Sequence, residues 1–261
     1  MGKGRKRVSN SPLVTYTKLS PNHSGRRNHV IDTISIHCMA GNASVETCGA
    51  LFADPSRKAS SNYGIGSDGR IALYVDEANR SWCTSSASND HRAITIEVAN
   101  NGGAPDWPVS DRAYAALLDL LTDICRRNGI KKLLWKGDKS LIGQVDKQNM
   151  TVHRWFAAKA CPGDYLYRRH GQIAAEVNRR LEEEEETVDI AKLIAEMTNE
   201  QAYQLLQKAE PHAKTVAEPA WSQQEGHWAK ATAEGVVDGT SPERPMKRDE
   251  VIAVLGRKGL L

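Results

Sequence analysis

Ala93-Ile-Thr-Ile-Glu-Val98 alternates apolar and polar side chains, the period of a strand whose residues divide between two faces. An amphipathic helix follows. Ser110 or Asp111 caps it, Leu117, Leu118, Leu121 and Ile124 share one side, and Asn128-Gly129 ends it. Upstream, residues 29–37 read as a buried strand (Val30, Ile31, Ile34, Ile36), and Ile71-Ala-Leu-Tyr-Val75 as another. Between these two lie Ser60-Ser-Asn-Tyr-Gly64 and the turn signal Ser67-Asp-Gly69. Downstream, 131–135 is a further strand candidate, 136–149 a polar surface loop and Met150-Thr-Val-His153 a short strand. After Cys161-Pro-Gly163 a helix is expected over about 164–181. Strands interleaved with helices define an α/β class, a central mixed sheet flanked by helices.

The 261 residues suffice for one domain of ordinary size plus a small appendage. Composition excludes collagenous, low-complexity and disulfide-scaffold chains. No apolar run approaches the ~18 residues of a membrane span. The formal net charge of +3 conceals an asymmetry. Residues 1–181 carry 26 Lys+Arg against 16 Asp+Glu, and 182–261 carry 9 against 16, giving balances of +10 and −7. The boundary is the run of glutamates at 182–186, read as a solvated helix end or linker. The expected organisation is an N-terminal arm (1–27), a sheet domain (28–181), an acidic linker (182–187) and a mainly helical C-terminal domain (188–261). In that last part Thr198-Asn-Glu-Gln201 has the form of a capping box.

Met1-Gly-Lys-Gly-Arg-Lys-Arg7 is basic, but the following residues lack the apolar core of an export signal. The expectation is a chain that is cytoplasmic when synthesised. The arm is short and has no interleaved aromatics, so nucleic acid is not an expected partner. Five Cys without a CxxC pair suit reduced thiols, with Cys38, Cys48, Cys83 and Cys125 packed as small apolar groups. Cys38, next in strand order after His37, is expected to point into the core.

His37 and His153 end predicted strands, and Cys161 lies eight positions beyond His153. Imidazole and thiolate are zinc ligands, and a catalytic zinc needs three protein ligands with a fourth position for water. Eight His and five Cys offer many such triples, however, and no zinc-finger spacing separates His37 from His153. Taken alone, the three are read as satisfied core or surface histidines and a buried cysteine in preference to a metal site.

Four segments in order alter that balance: Ile34-Ser-Ile-His37, Ser60-Ser-Asn-Tyr-Gly-Ile-Gly-Ser-Asp-Gly69, Asn89-Asp-His-Arg-Ala-Ile-Thr-Ile-Glu97 and His153-Arg-Trp-Phe-Ala-Ala-Lys-Ala-Cys-Pro-Gly163. Together they resemble the type 2 N-acetylmuramoyl-L-alanine amidases, the zinc family that includes phage lysins and peptidoglycan recognition proteins. The resemblance covers roughly residues 28–181. It implies Zn²⁺ held by His37, His153 and Cys161, Lys159 stabilising an oxyanion, Tyr63 lining the metal site and Glu97 at the position of a catalytic Glu. Either Glu97 or Tyr63 then handles the proton. Two positions depart from the pattern: Trp82-Cys83 stands where many relatives have Trp-His, and Asn62 where His is common. His23, His29, His91, His170, His212 and His227 are read as non-ligands.

The implied activity is hydrolysis of the bond between N-acetylmuramic acid and L-alanine in bacterial peptidoglycan, in a phage or prophage endolysin that reaches the wall after release. The alternative is a peptidoglycan-binding module of the same fold without turnover, and the complete ligand set speaks for the enzyme. Residues 219–261, with Trp221, Trp228, Gly235, Gly239 and the Arg-Asp-Glu at 248–250, resemble one S-layer-homology repeat. That resemblance implies either binding of a cell-wall polymer or a homo-oligomer, since one repeat must bury its apolar face against something.

Overall fold

The computed structural model describes residues 8–198 together with 201, 202 and 204, with the backbone alone at 184–195. In chain order the strands are β1 Tyr16–Thr17, β2 His23–Arg26, β3 Thr33–Cys38, β4 Tyr63–Ile65, β5 Ile71–Leu73, β6 Asn79–Ser81, β7 Ala93–Val98 and β8 Met150–Thr151. The helices are α1 Val45–Ala53, α2 Ala87–Arg92, α3 Asp111–Asn128 and α4 Gly163–Glu196. Six strands form one sheet in the order β1-β5-β4-β7-β3-β8, and β2 pairs with β6 in a two-stranded sheet. In the large sheet β4 and β5 are antiparallel while the other neighbours run parallel, so the sheet is mixed.

Register sorts the sheet into two chemically different faces. Ile34 pairs with Ile94, and Ile36 with Ile96, which also faces Tyr63. On the other side Ser35 pairs with Thr95, and His37 with Glu97, which also faces Gly64. The apolar face is covered by α3 and α4, whose Leu117, Leu121, Ile124, Leu166, Ile173 and Val177 share one core with those isoleucines. Against the polar face α1 brings Val45, Cys48 and Phe52 onto Ala72 and Tyr74. The limits of α3 are those the sequence implies. Ser110 Oγ accepts from the Ala113 amide at 3.1 Å, and Gly129 closes the helix at φ +72°.

Gly64 is required by a close approach. A Cβ there would come within 2.4 Å of the Tyr74 ring, which is fully buried and pinned by its hydroxyl to the Val45 carbonyl at 2.7 Å. Gly64→Ala is therefore expected to cost about 1–3 kcal/mol through overpacking. Urea denaturation measures it, and an unchanged midpoint would show that the ring gives way. Asn62, also fully buried, ties three segments together. Its Oδ1 accepts from Arg27 at 2.9 Å and from the Thr95 amide at 3.2 Å, while its Nδ2 donates to the Val75 carbonyl at 3.1 Å. Its polar atoms are spent on the fold.

Three expectations need correction. The strand expected from 29 begins at Thr33, and Val30 is exposed. Residues 131–135 form no strand, because the amides of Leu133 and Leu134 donate to the side chains of Asn178 and Asn149, each at 2.7 Å. The last helix does not stop at 181 but runs through the glutamates to Glu196. Glutamate is a good helix former, and Arg179 bonds Glu183 one turn on. The chain divides into two compact units, Met1–Glu186 and Thr187–Leu261. In the second, the Thr198 amide donates to Gln201 Oε1 at 3.0 Å and the Gln201 amide to Thr198 Oγ1 at 3.3 Å, the reciprocal bonds of a capping box. The basic residues 1–7 and the repeat-like segment 219–261 lie outside the described residues. Among the described residues no helix is long and apolar enough to cross a membrane.

Candidate metal centre

A cavity of about 780 Å³ opens at the carboxyl ends of β3 and β7, on the polar face of the sheet. His37 is fully buried at its edge, and its surroundings fix the tautomer. Ser35 Oγ donates to the Thr151 carbonyl at 3.3 Å, so towards His37 it acts as acceptor for Nε2–H at 3.2 Å. Nδ1 is left as the acceptor, with its lone pair facing the Cys161 thiol. It lies 3.3 Å from Cys161 Sγ and 4.0 Å from Glu97 Oε1. Burial, reinforced by His153, lowers the His37 pKa to about 3, which keeps the ring neutral and able to ligate.

His153 follows β8 in a short 3₁₀ turn, with its ring 5.2 Å from that of His37. Donor atoms of His37, His153 and Cys161 all lie within 4.8 Å of one another. The loop that carries Lys159 and Cys161 is stapled by Arg154, a residue the sequence reading does not single out. Its guanidinium donates to the Ala160 carbonyl at 2.5 Å and to Asp164 at 3.2 Å, and its amide to the Cys161 carbonyl at 3.2 Å. Beneath the loop, Trp155 stacks on Trp135 at 5.1 Å, and Trp135 in turn packs on His170 at 4.4 Å. Lys159 is exposed and lines the cavity together with Glu97, Cys83 and Cys38.

Glu97 Oε2 is buried without a hydrogen-bond partner, and burial, with Cys38 nearby, raises the Glu97 pKa well above the carboxylate range. Hydrogen bonding to Cys38, then burial and Glu97, push the Cys161 thiol up as well. A cation bound beside them reverses both tendencies, because it favours the charged forms. The donor set of neutral imidazoles, thiol and orphaned carboxylate oxygen therefore suits a divalent ion such as zinc.

Tyr63 is not part of this cavity. It pairs with Ile96 and so points to the apolar face, away from Glu97, which lies one position out of phase opposite Gly64. Its hydroxyl donates to Glu77 Oε1 at 2.5 Å and accepts from the Ser11 amide at 2.9 Å, in a fully buried cluster that Arg127 closes on Glu77 at 2.6 Å. Burial and Glu77 raise the Tyr63 pKa, so this hydroxyl is a structural donor, and the catalytic role that the resemblance implies for it is withdrawn. Cys38 is buried, as expected, but at the end of β3 it also reaches the cavity wall, where its amide donates to Cys161 Sγ at 3.5 Å. Cys125 is packed in the main core and Cys48 under α1, as expected, although Cys48 also reaches the cavity wall. None of His23, His29, His91 and His170 joins a candidate metal group among the described residues.

His170 supports the site from behind. It is fully buried, Nδ1–H donates to the Leu166 carbonyl at 2.7 Å, and burial lowers its pKa from 6.5 to about 4. The folded state therefore favours the neutral ring. The corresponding stability is complete above the unfolded pKa and is lost as pH falls from about 6.5 towards 4, by about 3 kcal/mol in all. Denaturant titrations between pH 7 and 4 are expected to show this slope. His37 and His153, whose pKa values burial also lowers, contribute to the same slope. His170→Asn, which retains a donor for Leu166, therefore reduces it without abolishing it, and an equal slope in that variant assigns the effect elsewhere.

Two imidazoles and a thiol converging at the end of a mixed sheet, with a carboxylate and an ammonium beside them, have the makeup of a metal-dependent hydrolytic centre. The family model Amidase_2, N-acetylmuramoyl-L-alanine amidase, matches residues 27–164, and the chain belongs to this family. Similar solved structures include an AmpD derivative (19% identity, 63% of this chain and 96% of that one, TM-score 0.47). Another is the hydrolase AmiA of Staphylococcus aureus in complex with its ligand (16%, 64% and 82%, TM-score 0.47). A third is the endolysine N-acetylmuramoyl-L-alanine amidase LysCS of Clostridium intestinale (14%, 63% and 97%, TM-score 0.43). No curated protein matches the chain.

Proposed function

We propose that this chain hydrolyses the amide between N-acetylmuramic acid and L-alanine in peptidoglycan, with zinc held by His37, His153 and Cys161. The reading rests on one observation above all: the donor atoms of those three residues converge within 4.8 Å at the wall of a cavity that Lys159 and Glu97 also line, in a member of an amidase family. Bound zinc supplies Lewis acidity and a hydroxide available at neutral pH.

The chain's own residues do the rest. Lys159 brings an ammonium to the negative charge that develops on the scissile carbonyl oxygen, a contact of a kind worth a few kcal/mol in the transition state. Beside the bound cation Glu97 is a carboxylate, which takes up the proton that the attacking water releases and passes it to the leaving amine of L-alanine. Met39, Leu51, Phe52 and Trp82 give the cavity an apolar wall, while Arg57, Lys58 and Arg80 make its rim basic. A basic rim on a +10 sheet domain suits an anionic cell wall, an attraction that salt weakens.

Within this reading the chain is a phage or prophage endolysin, made in the cytoplasm and acting on the wall after release. Its acidic C-terminal part either binds wall polymer or joins copies of the chain. The test is digestion of purified walls, with product ends identified chemically. New L-alanine amino termini without new reducing sugar ends are expected, at a rate that Lys159→Ala lowers about 10²-fold. Reducing ends alone, or binding to walls with no cleavage, overturn it.

A further inference from the structure

We infer that the cavity contains a second cation position, formed by His37 Nδ1, Cys83 Sγ and Glu97, which shares His37 with the first and excludes it when filled. The inference rests on the metal-centre reading above. The three donor atoms lie within 4.8 Å of one another, with Glu97 Oε1 4.0 Å from His37 Nδ1 and 3.9 Å from Cys83 Sγ. His37 thus belongs to two donor groups, with His153 and Cys161 in one and with Cys83 and Glu97 in the other.

The other oxygen of the same carboxylate, Glu97 Oε2, adds a reason for a cation beside this residue. It is buried and has no hydrogen-bond partner, a situation that native structures rarely leave unmet. Charge points the same way. A divalent ion on neutral His37, thiolate Cys83 and carboxylate Glu97 is a neutral assembly, whereas the same ion on two imidazoles and one thiolate keeps a charge of +1. In a buried setting the neutral assembly has the lower desolvation cost. The nitrogen, sulfur and oxygen donors suit borderline and thiophilic ions such as zinc, cobalt and cadmium.

One Nδ1 lone pair serves one ion, so the two positions are alternatives at a stoichiometry of one. An ion in the second position takes Glu97 as a ligand and removes it from proton transfer. The position is therefore a holding site in which the chain keeps its ion without being competent for turnover.

Cobalt(II), titrated into the metal-free full-length chain and followed by its thiolate-to-cobalt absorption in the near ultraviolet, tests this directly. Cys161→Ser removes the thiolate of the first position and is nearly isosteric. It is expected to retain a thiolate-to-cobalt band at about one cobalt per chain, and Cys161→Ser/Cys83→Ser is expected to lose the band. A Cys161→Ser protein with no such band, or a band that survives the second substitution, overturns the second position. If the wild-type chain itself takes up no cobalt, the metal-centre reading fails and this inference falls with it. If wild type binds with a thiolate band and Cys161→Ser shows none, only the inference fails.

Discussion

His37→Ala is expected to abolish metal uptake and turnover together, because this imidazole belongs to both donor groups in the cavity. Removing His153 or Cys161 leaves another donor trio intact, whereas removing His37 leaves neither. Metal content should fall from about one ion per chain to near zero. Loss of the several kcal/mol that a Lewis acid contributes to the transition state corresponds to a fall of at least ~10³-fold in kcat/KM. Elemental analysis beside a wall-digestion assay measures both effects. Circular dichroism on the metal-free proteins separates loss of the ion from loss of the fold, since the ring is fully buried. A folded variant that retains a tenth of wild-type activity removes His37 from the chemistry.

Glu97→Gln is expected to separate activity from stability. Glutamine reproduces the shape of the carboxyl, but it can neither take up nor give a proton. A fall of ~10²–10⁴-fold in kcat is the range for loss of a general acid or base. The folded state should be about as stable, since the amide keeps the carboxyl's shape and the buried oxygen makes no hydrogen bond to lose. Turnover and thermal midpoint, measured on the same preparation, check the pair of effects. A variant that keeps full turnover assigns the proton to another group. One that loses turnover together with its thermal midpoint makes Glu97 a structural residue.

The strand at 93–98 and the helix at 111–128 are legible because each satisfies its signals locally, through alternation in one and caps at both ends in the other. The remainder depends on partners distant in sequence. Strands of two or three residues, such as 16–17 and 63–65, are defined by the ladder they join and carry no period of their own. Leu133 and Leu134 have strand-like side chains, yet their amides are taken by two asparagines, one of them 45 residues away. Spacing alone favours packed side chains at His37, His153 and Cys161. It is the resemblance of the segments around them that singles them out.

Tyr63 shows the limit of that approach. Its neighbours in sequence match an active-site segment, but the face it occupies is set by parity against β7, and a shift of one residue exchanges cavity for core. Cys38, the last residue of β3, is buried and still reaches the cavity because the cavity opens at that end of the strand. Ser35 and Arg154 offer no signal in advance. A serine two residues before a histidine and an arginine in a loop acquire their roles only once Thr151, Ala160 and Asp164 are in place.

The two-sided register of β3 and β7 has a consequence for how such a chain can change. Ile34, Ile36, Ile94 and Ile96 anchor the fold on one side, while Ser35, His37, Thr95 and Glu97 alternate with them on the other. Substitutions at His37 and Glu97 act on the cavity without touching the isoleucines, whereas Thr95 holds Asn62 and Ser81 and belongs to the fold. Drift in chemistry, including the exchange of one ligand type for another, is then open to the lineage along the very strands that hold the molecule together.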